Sequence, residues 1–365
     1  MIERVTKIVL ASTSLHRGGV WRHIEDLGLG LQQAGLDVTV GLLGDANELQ
    51  QAAQRAGLPW DALHRTVRTG DLWHIHLHDT YDRRAFLALA ARRLAGPSVI
   101  TEHLPRNHAS DERLEPEHPR TRYAAEAKTI FKRLEFALAG TVIAVGASSA
   151  RFLQERYAPP AGTVMTVHNG LDASAAPAEP GAPGEADHPL RIVAVGRLDR
   201  QKGIDVLLDA ARLSSHPWEV TVVGSGPQLP RLLEIASDLP SGRVSFAGWV
   251  DDPRALVEAA DVLCMPSRWE SFPYAALEAC SLARPVVASR VDGLDEIVLD
   301  GESGILVAPD RPGELAAALD GLAADRELVG AYGRAARARV RGLFTLPRMV
   351  DGAIAAYAHA GCRVA

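Results

Sequence analysis

Arg191-Ile192-Val193-Ala194-Val195-Gly196-Arg197-Leu198-Asp199-Arg200-Gln201-Lys202-Gly203 begins as an apolar, β-branched run and breaks at Gly196 into a loop bearing two cations, before a helix. A nearly continuous apolar run bounded by glycine fits a parallel strand covered on both faces. Arginine presents a fork and lysine a point charge to phosphate oxygens, and the helix start adds N–H groups without intrahelical acceptors. The loop therefore reads as an anion site, although a solvated surface loop would carry the same residues.

The same strand-then-helix rhythm extends in both directions. Further strands are expected near Glu219 to Gly224, Val244 to Gly248, Asp261 to Pro266, Pro285 to Ser289 and Gly304 to Val307. Upstream, Lys7 to Thr13, Val38 to Leu43, Trp73 to His78, Ser98 to His103, Thr141 to Val145 and Val164 to His168 alternate with helix-period segments such as Val20 to Ala34 and Arg83 to Leu94. Between the two series lies Ala175 to Pro189, AAPAEPGAPGEADHP, which has no apolar periodicity and cannot bury a core. The expectation is an α/β chain with a first domain over 1–175, a linker over 176–189 and a second domain over 190–343. Each domain is a Rossmann-like, doubly wound parallel sheet, and the two face a cleft.

Length and composition agree. A chain of 365 residues exceeds one core at roughly 150 residues per domain. With 47% hydrophobic and 23% charged residues it is neither disordered nor a membrane bundle. The longest uncharged apolar stretch, Phe136 to Ala150, is shorter than the roughly 18 residues of a spanning helix and reads as a helix end, a buried strand and a new helix start. Met1 to Leu10 lacks the pattern of a signal peptide, and Cys264, Cys280 and Cys362 form no CxxC pair, so a reducing cytoplasm is expected, with neither disulfides nor a zinc site.

The net charge of −6 argues against nucleic acid as a partner. It is unevenly spread, with 20 Lys+Arg and 19 Asp+Glu through Ala175 against 19 and 26 after it, or +1 against −7. Arg120, Arg122, Lys128, Lys132 and Arg133, interleaved with Tyr123, Ile130, Phe131 and Leu134 at helical spacing, fit either a solvated helix with its apolar stripe on the core or a helix lying on the inner face of a membrane.

Other residues add chemistry. His16-Arg17-Gly18-Gly19-Val20 follows the first strand, and its glycines let backbone approach a ligand. Glu270-Ser271-Phe272-Pro273-Tyr274-Ala275-Ala276-Leu277-Glu278 is an E-x7-E segment whose helix starts near Pro273, with carboxylates on either side of that start able to bind hydroxyls. A capping glutamate plus a solvated one is the plainer alternative. Ten of the thirteen histidines precede Ala175, and His74, His76 and His78 share one strand face, which suits structural or ligand-lining roles better than a metal.

Together GGV at Gly18 to Val20, HNGLD at His168 to Asp172, GRLDRQKG at Gly196 to Gly203, VGSGP at Val223 to Pro227 and the E-x7-E segment resemble glycosyltransferase family 4, retaining enzymes of GT-B fold. The resemblance implies a hexosyltransferase that uses a nucleotide diphosphate sugar, UDP- or GDP-linked, as co-substrate and needs no metal or other cofactor. By position, Arg197 and Lys202 match the cations that hold the diphosphate, Gly19 with Gly18 the backbone that meets it from the other domain, Glu278 the carboxylate on the ribose, and Glu270 the one on the transferred sugar. Ser271, Phe272 and Pro273 would lie beside sugar and phosphates, and Val250 of Gly248-Trp249-Val250 beside the nucleobase. His103 matches a histidine contacting the transferred sugar; Leu104 departs from the family's small polar residue there. The catalytic set is thus His103, Glu270, Arg197 and Lys202, with His16, His78 and Arg106 on the acceptor side.

The fold further implies that the last segment, about 344–365, returns to the first domain with Met349, Val350, Ile354 and Tyr357 as its apolar stripe. The acceptor, whether small molecule, glycan or lipid, and the oligomeric state are not legible. A phosphorylase-like enzyme or a non-catalytic nucleotide-sugar-binding subunit would share these residues. A dinucleotide oxidoreductase would need GxGxxG, which neither Gly18-Gly19 nor Gly224-Ser225-Gly226 completes.

Overall fold

The computed structural model describes residues 3–5, 7–12, 18–42, 47–62, 72–77, 89, 97–103, 122–172 and 188–364. They fall into two compact units, Met1–Gly170 with Leu346–Ala365, and Leu171–Thr345. The change of unit at Gly170 precedes the expected boundary at Ala175, and Phe344 stays with the second unit, where its carbonyl accepts from Leu171 N–H at 3.0 Å. Residues 176–187 of the expected linker, and the expected helix Arg83 to Leu94 apart from the buried Leu89, lie outside the described residues.

In the first unit the order is β1 (Glu3–Val5), β2 (Lys7–Ser12), α1 (Gly19–Gln33), β3 (Asp37–Leu42), α2 (Asn47–Ala56), β4 (Trp60–Ala62), β5 (Leu72–Leu77), β6 (Ser98–Glu102), α3 (Arg122–Leu138), β7 (Thr141–Ala144), α4 (Ala147–Tyr157) and β8 (Val164–Thr166). Seven strands pair in parallel as β4-β3-β2-β5-β6-β7-β8. Alternation along β2 shows why its apolar run is unbroken: Ile8 and Leu10 enter one core with α1 and α2, while Val9 and Ala11 enter the other with Phe136 and Leu153.

The second unit runs β9 (Leu190–Val195), α5 (Ile204–Leu213), β10 (Trp218–Val223), α6 (Leu229–Ser237), β11 (Val244–Gly248), α7 (Arg254–Ala259), β12 (Val262–Met265), α8 (Tyr274–Ser281), β13 (Val286–Ser289), α9 (Leu294–Ile297), β14 (Gly304–Val307), α10 (Pro312–Ala324) and α11 (Arg326–Leu343). Its six strands are parallel in the order β11-β10-β9-β12-β13-β14. Strand order reverses between β2 and β5 in one unit and between β9 and β12 in the other, and at such points open α/β sheets bind ligands beyond the carboxyl ends of the strands.

The chain ends with α12 (Leu346–His359) and β15 (Cys362–Val364), both in the first unit, where β15 pairs with β1. Met349, Val350 and Tyr357 are buried in the core shared with α1, and Ile354 packs against it. Burying such side chains contributes about 1.5–3 kcal/mol each. The absence of side chains at Gly30 and Gly352 permits the contact: a Cβ there would lie 2.5 Å from Val350 Cγ2 and 2.7 Å from Val167 Cγ1. Strands β1, β4 and β15, three residues each, fall outside the expected strands, since so short a run shows no period in the sequence; β8, equally short, is marked by the apolar segment around it.

On α3 the structure reverses the expected orientation. Thr129, Lys132, Glu135 and Phe136 form its buried side, while Ile130 and Leu134 are 58% and 52% exposed. Lys132 is wholly buried between Glu102, to whose carboxylate it bonds at 2.5 Å, and Glu135 at 2.7 Å. Opposite charges brought together offset the cost of burying each one, and an apolar-stripe reading cannot foresee such pairing. Lys132→Met, which strands two buried carboxylates, should destabilise the chain by about 3–5 kcal/mol, read as a lower urea midpoint at unchanged slope.

Candidate active site

In the second unit three loops at the carboxyl ends of β9, β12 and β13 meet. Gly203, at φ +63°, ends the β9 loop so close to the next one that a Cβ would lie 2.0 Å from Pro266 O. Gly293, at φ +77°, approaches Ser271 O in the same way, at 1.8 Å. Both positions need glycine for backbone conformation and for space.

Side chains then tie the β9 and β12 loops. Arg268 Nη1 and Nη2 donate to Asp205 Oδ1 and Oδ2 at 3.0 and 2.9 Å, and Nη1 also donates to Arg200 O at 2.7 Å. Arg268 N–H donates to Gln201 O at 2.7 Å, and Gln201 Nε2 donates back to Trp269 O at 3.1 Å. This bracing leaves Lys202 Nζ 2.6 Å from Glu270 Oε1, which also accepts from Ser267 Oγ at 2.8 Å. Ser267 and Glu270 are buried, whereas Arg197 on the same β9 loop is 71% exposed, with Asp199 at 3.8 Å.

Pro273, extended at φ −75° and ψ 129°, caps α8, so that helix starts at Tyr274, four residues beyond Glu270, and Glu278 lies one turn further in, half-buried. Ser271 is buried, and Phe272 is 3% exposed with its ring edge-to-face on Phe344 at 5.1 Å. The Phe272 side chain is thus packed inward, and a ligand beside it would meet backbone. At the end of β11, Gly248 and Val250 are half-buried and Trp249 is 57% exposed. Lys202 and Glu270 therefore meet at the strand-order reversal of this sheet, with Arg197 earlier on the β9 loop and Ser271, Pro273 and Glu278 along the segment that follows Glu270.

In the first unit Gly18 caps α1 and Gly19 begins it; both are exposed, and a Cβ on either would meet nothing within 4 Å among the described residues. Neither has a left-handed backbone, so packing does not require glycine there. His103 follows β6 and is 8% exposed, with Nε2 3.2 Å from His76 Nδ1 and its ring 4.6 Å from that of His23. His74 spans Tyr357 Oη at 2.9 Å and Thr101 Oγ1 at 2.6 Å, joining α12 to the sheet. His16, His78 and Arg106 lie outside the described residues.

Sequence reasoning passed over Arg268, Ser267, Gly293 and His23. Arg268 and Ser267 lie within three residues of Glu270, and that proximity was the available signal. His23 lay inside a helical pattern, with nothing local to mark which face it occupies.

Burial sets the protonation of the histidines. His23 is pushed down to about 4, by burial first and against the opposing hydrogen bond it makes to Asn169 Oδ1. His74 is held well below the usual value by burial and then by His23, and His76 by burial and then by His74, His23 and His103. All three are neutral at pH 7.

Two α/β units, each with polar groups gathered at a sheet reversal, define the GT-B class of sugar-transfer folds. The match is wide: Anabaena Alr3699/HepE, solved in complex with UDP, superposes with a TM-score of 0.81 at 20% identity, covering 96% of this chain and 99% of that one. Sucrose-phosphate synthase from Thermosynechococcus elongatus gives 0.76 at 21% identity over 96% and 98%. The Glycosyltransferase Family 4 model matches residues 17–175 and the Glycosyl transferases group 1 model residues 189–325. The chain belongs to the family-4 glycosyltransferases. Among curated relatives, a D-inositol 3-phosphate glycosyltransferase of Geodermatophilus obscurus is 34% identical over 74% of this chain and 62% of its own length. A glycogen synthase of Mycobacterium tuberculosis is 32% identical over 56% and 50%. The chain thus spans about half to three-fifths of the length of these relatives.

The lowered histidine values bear on stability. Between pH 6.5 and about 4 the unfolded chain binds a proton at His23 that the folded chain refuses, so stability falls as pH falls through that window. His23 alone should remove about 3 kcal/mol across it, and His74 and His76 add in the same direction. Urea midpoints measured from pH 7 to pH 4 should decline accordingly, and His23→Asn should flatten the decline.

Proposed function

We propose that the protein is a retaining hexosyltransferase that moves a sugar from a UDP- or GDP-sugar to an acceptor hydroxyl. The observation that carries this reading is the Lys202–Glu270 pair, 2.6 Å apart beside the start of α8 at the sheet reversal. Cation, carboxylate and helix start are the groups a sugar diphosphate needs: charge for the phosphates, an acceptor for sugar hydroxyls and N–H donors between them. The UDP and UDP-glucose in the Anabaena structures support a uridine donor as the first to try.

In the proposed reaction the bond from the anomeric carbon to the diphosphate oxygen breaks as the acceptor oxygen bonds to the same face of that carbon. The acceptor proton passes to the departing diphosphate. Lys202 and Arg197 stabilise the growing phosphate charge, Glu270 holds sugar hydroxyls, Glu278 the ribose, Val250 flanks the base and Gly19 leaves backbone bare for phosphate. His103, beside the imidazoles of His23 and His76, exchanges a hydrogen bond with a sugar hydroxyl. No metal enters the step.

No described helix is long and apolar enough to cross a membrane. Exposed Ile130 and Leu134, one turn apart on α3 and beside exposed Arg133, support a peripheral contact with an anionic lipid surface, which suits a lipid-linked or membrane-borne acceptor.

Binding and slow hydrolysis of UDP-, GDP- and ADP-sugars, measured with EDTA present, should single out one donor, and Glu278→Ala should weaken its binding. Lys202→Ala should lower kcat by about 10²–10³. Turnover that depends on free phosphate and ignores nucleotide would instead make the protein a phosphorylase. Sedimentation with vesicles containing phosphatidylserine should pull down the parent chain and not Ile130→Glu/Leu134→Glu.

A further inference from the structure

Three buried histidines from separate elements of the first unit converge: His23 on α1, His76 on β5 and His103 after β6. One ring nitrogen from each lies within 4.8 Å of the others. His23 Nδ1 stands 2.8 Å from Asn169 Oδ1. An amide oxygen only accepts, so Nδ1 carries the proton and Nε2 the lone pair. That Nε2 is buried with no hydrogen-bond partner among the described residues, an arrangement that costs stability unless a ligand fills it. A metal-ligating histidine commonly has this arrangement, its second nitrogen donating to a carbonyl that fixes tautomer and ring. Asn169, in the HNGLD segment, supplies that carbonyl.

The spacing fits as well. His76 Nδ1 and His103 Nε2 are 3.2 Å apart. Two ligands of a tetrahedral zinc, each bonded at about 2.0–2.1 Å, stand about 3.3 Å apart. Three imidazoles without a carboxylate suit a borderline transition ion and are poor ligands for Mg²⁺ or Ca²⁺.

We propose that His23, His76 and His103 bind one divalent ion of the zinc class, four-coordinate, with solvent as the fourth ligand. Once ligated, His103 can no longer meet a sugar hydroxyl, so the ion inhibits transfer. That consequence rests on the reading of His103 given under the proposed function; the binding itself does not.

The full chain, stripped with EDTA and moved into chelator-free buffer, is titrated with Co²⁺ and then Zn²⁺ while visible absorption and heat are recorded. One Co²⁺ per chain with the intense d–d bands of a four-coordinate ion, displaced by equimolar Zn²⁺ and indifferent to Mg²⁺, is expected. His23→Gln and His103→Gln should each weaken Zn²⁺ binding by more than about tenfold with an unchanged circular dichroism spectrum. Absence of a saturable Co²⁺ band, or Zn²⁺ affinity retained in both folded variants, overturns the site. Should His23→Gln fail to fold, the parent spectrum and His103→Gln decide it. Stoichiometric Zn²⁺ that leaves donor turnover intact supports the site and removes His103 from the transfer step.

Discussion

The carbonyl of Pro266 occupies the space in which a Cβ on Gly203 would sit, 2.0 Å away. That approach locks the loop after β9 against the loop after β12, and the chemistry of the second unit depends on it. With the loops joined, Lys202 reaches Glu270 at 2.6 Å instead of extending into water. Arg268, bonded to Asp205 and to the Arg200 carbonyl, holds the joint from outside. A lysine and a glutamate fixed by backbone lose little further entropy when a ligand arrives, which is the physical meaning of a preorganised site.

The first unit uses the same sheet topology for a different electrostatic end. Its reversal gathers imidazoles that burial keeps neutral, whereas the second unit gathers a cation and a carboxylate that balance each other. Neutral imidazoles can exchange hydrogen bonds without adding charge, whereas a cation and a carboxylate bring charge to whatever binds beside them. The contrast comes from the residues in the loop after each strand, since the sheets themselves are alike.

Much of this was legible. Apart from β4, unbroken apolar runs located the strands of both sheets to within a residue or two, because a parallel strand covered on both faces leaves little choice of residue type. The E-x7-E segment could be placed because proline marks a helix start. What escaped depends on distant partners. Lys132 looks like a surface cation until Glu102, thirty residues earlier at the end of strand β6, is brought beside it, and only then does α3 turn its charges inward and leave Ile130 and Leu134 outside. His23 gains its meaning from Asn169, which joins it only through the fold. Ser267 and Gly293 are ordinary residues whose roles are set by a carboxylate and a carbonyl of another loop.

Net charge misleads here for the same reason. The half of the chain after Ala175 carries −7, yet the loop at its sheet reversal carries two cations, Arg197 and Lys202. Exposed charges are screened beyond about 10 Å, while a lysine only 20% exposed, beside a helix start, acts at contact distance. An anion at this reversal would therefore meet the few groups the backbone brings together, and the acidic surplus elsewhere sets solubility and long-range repulsion instead.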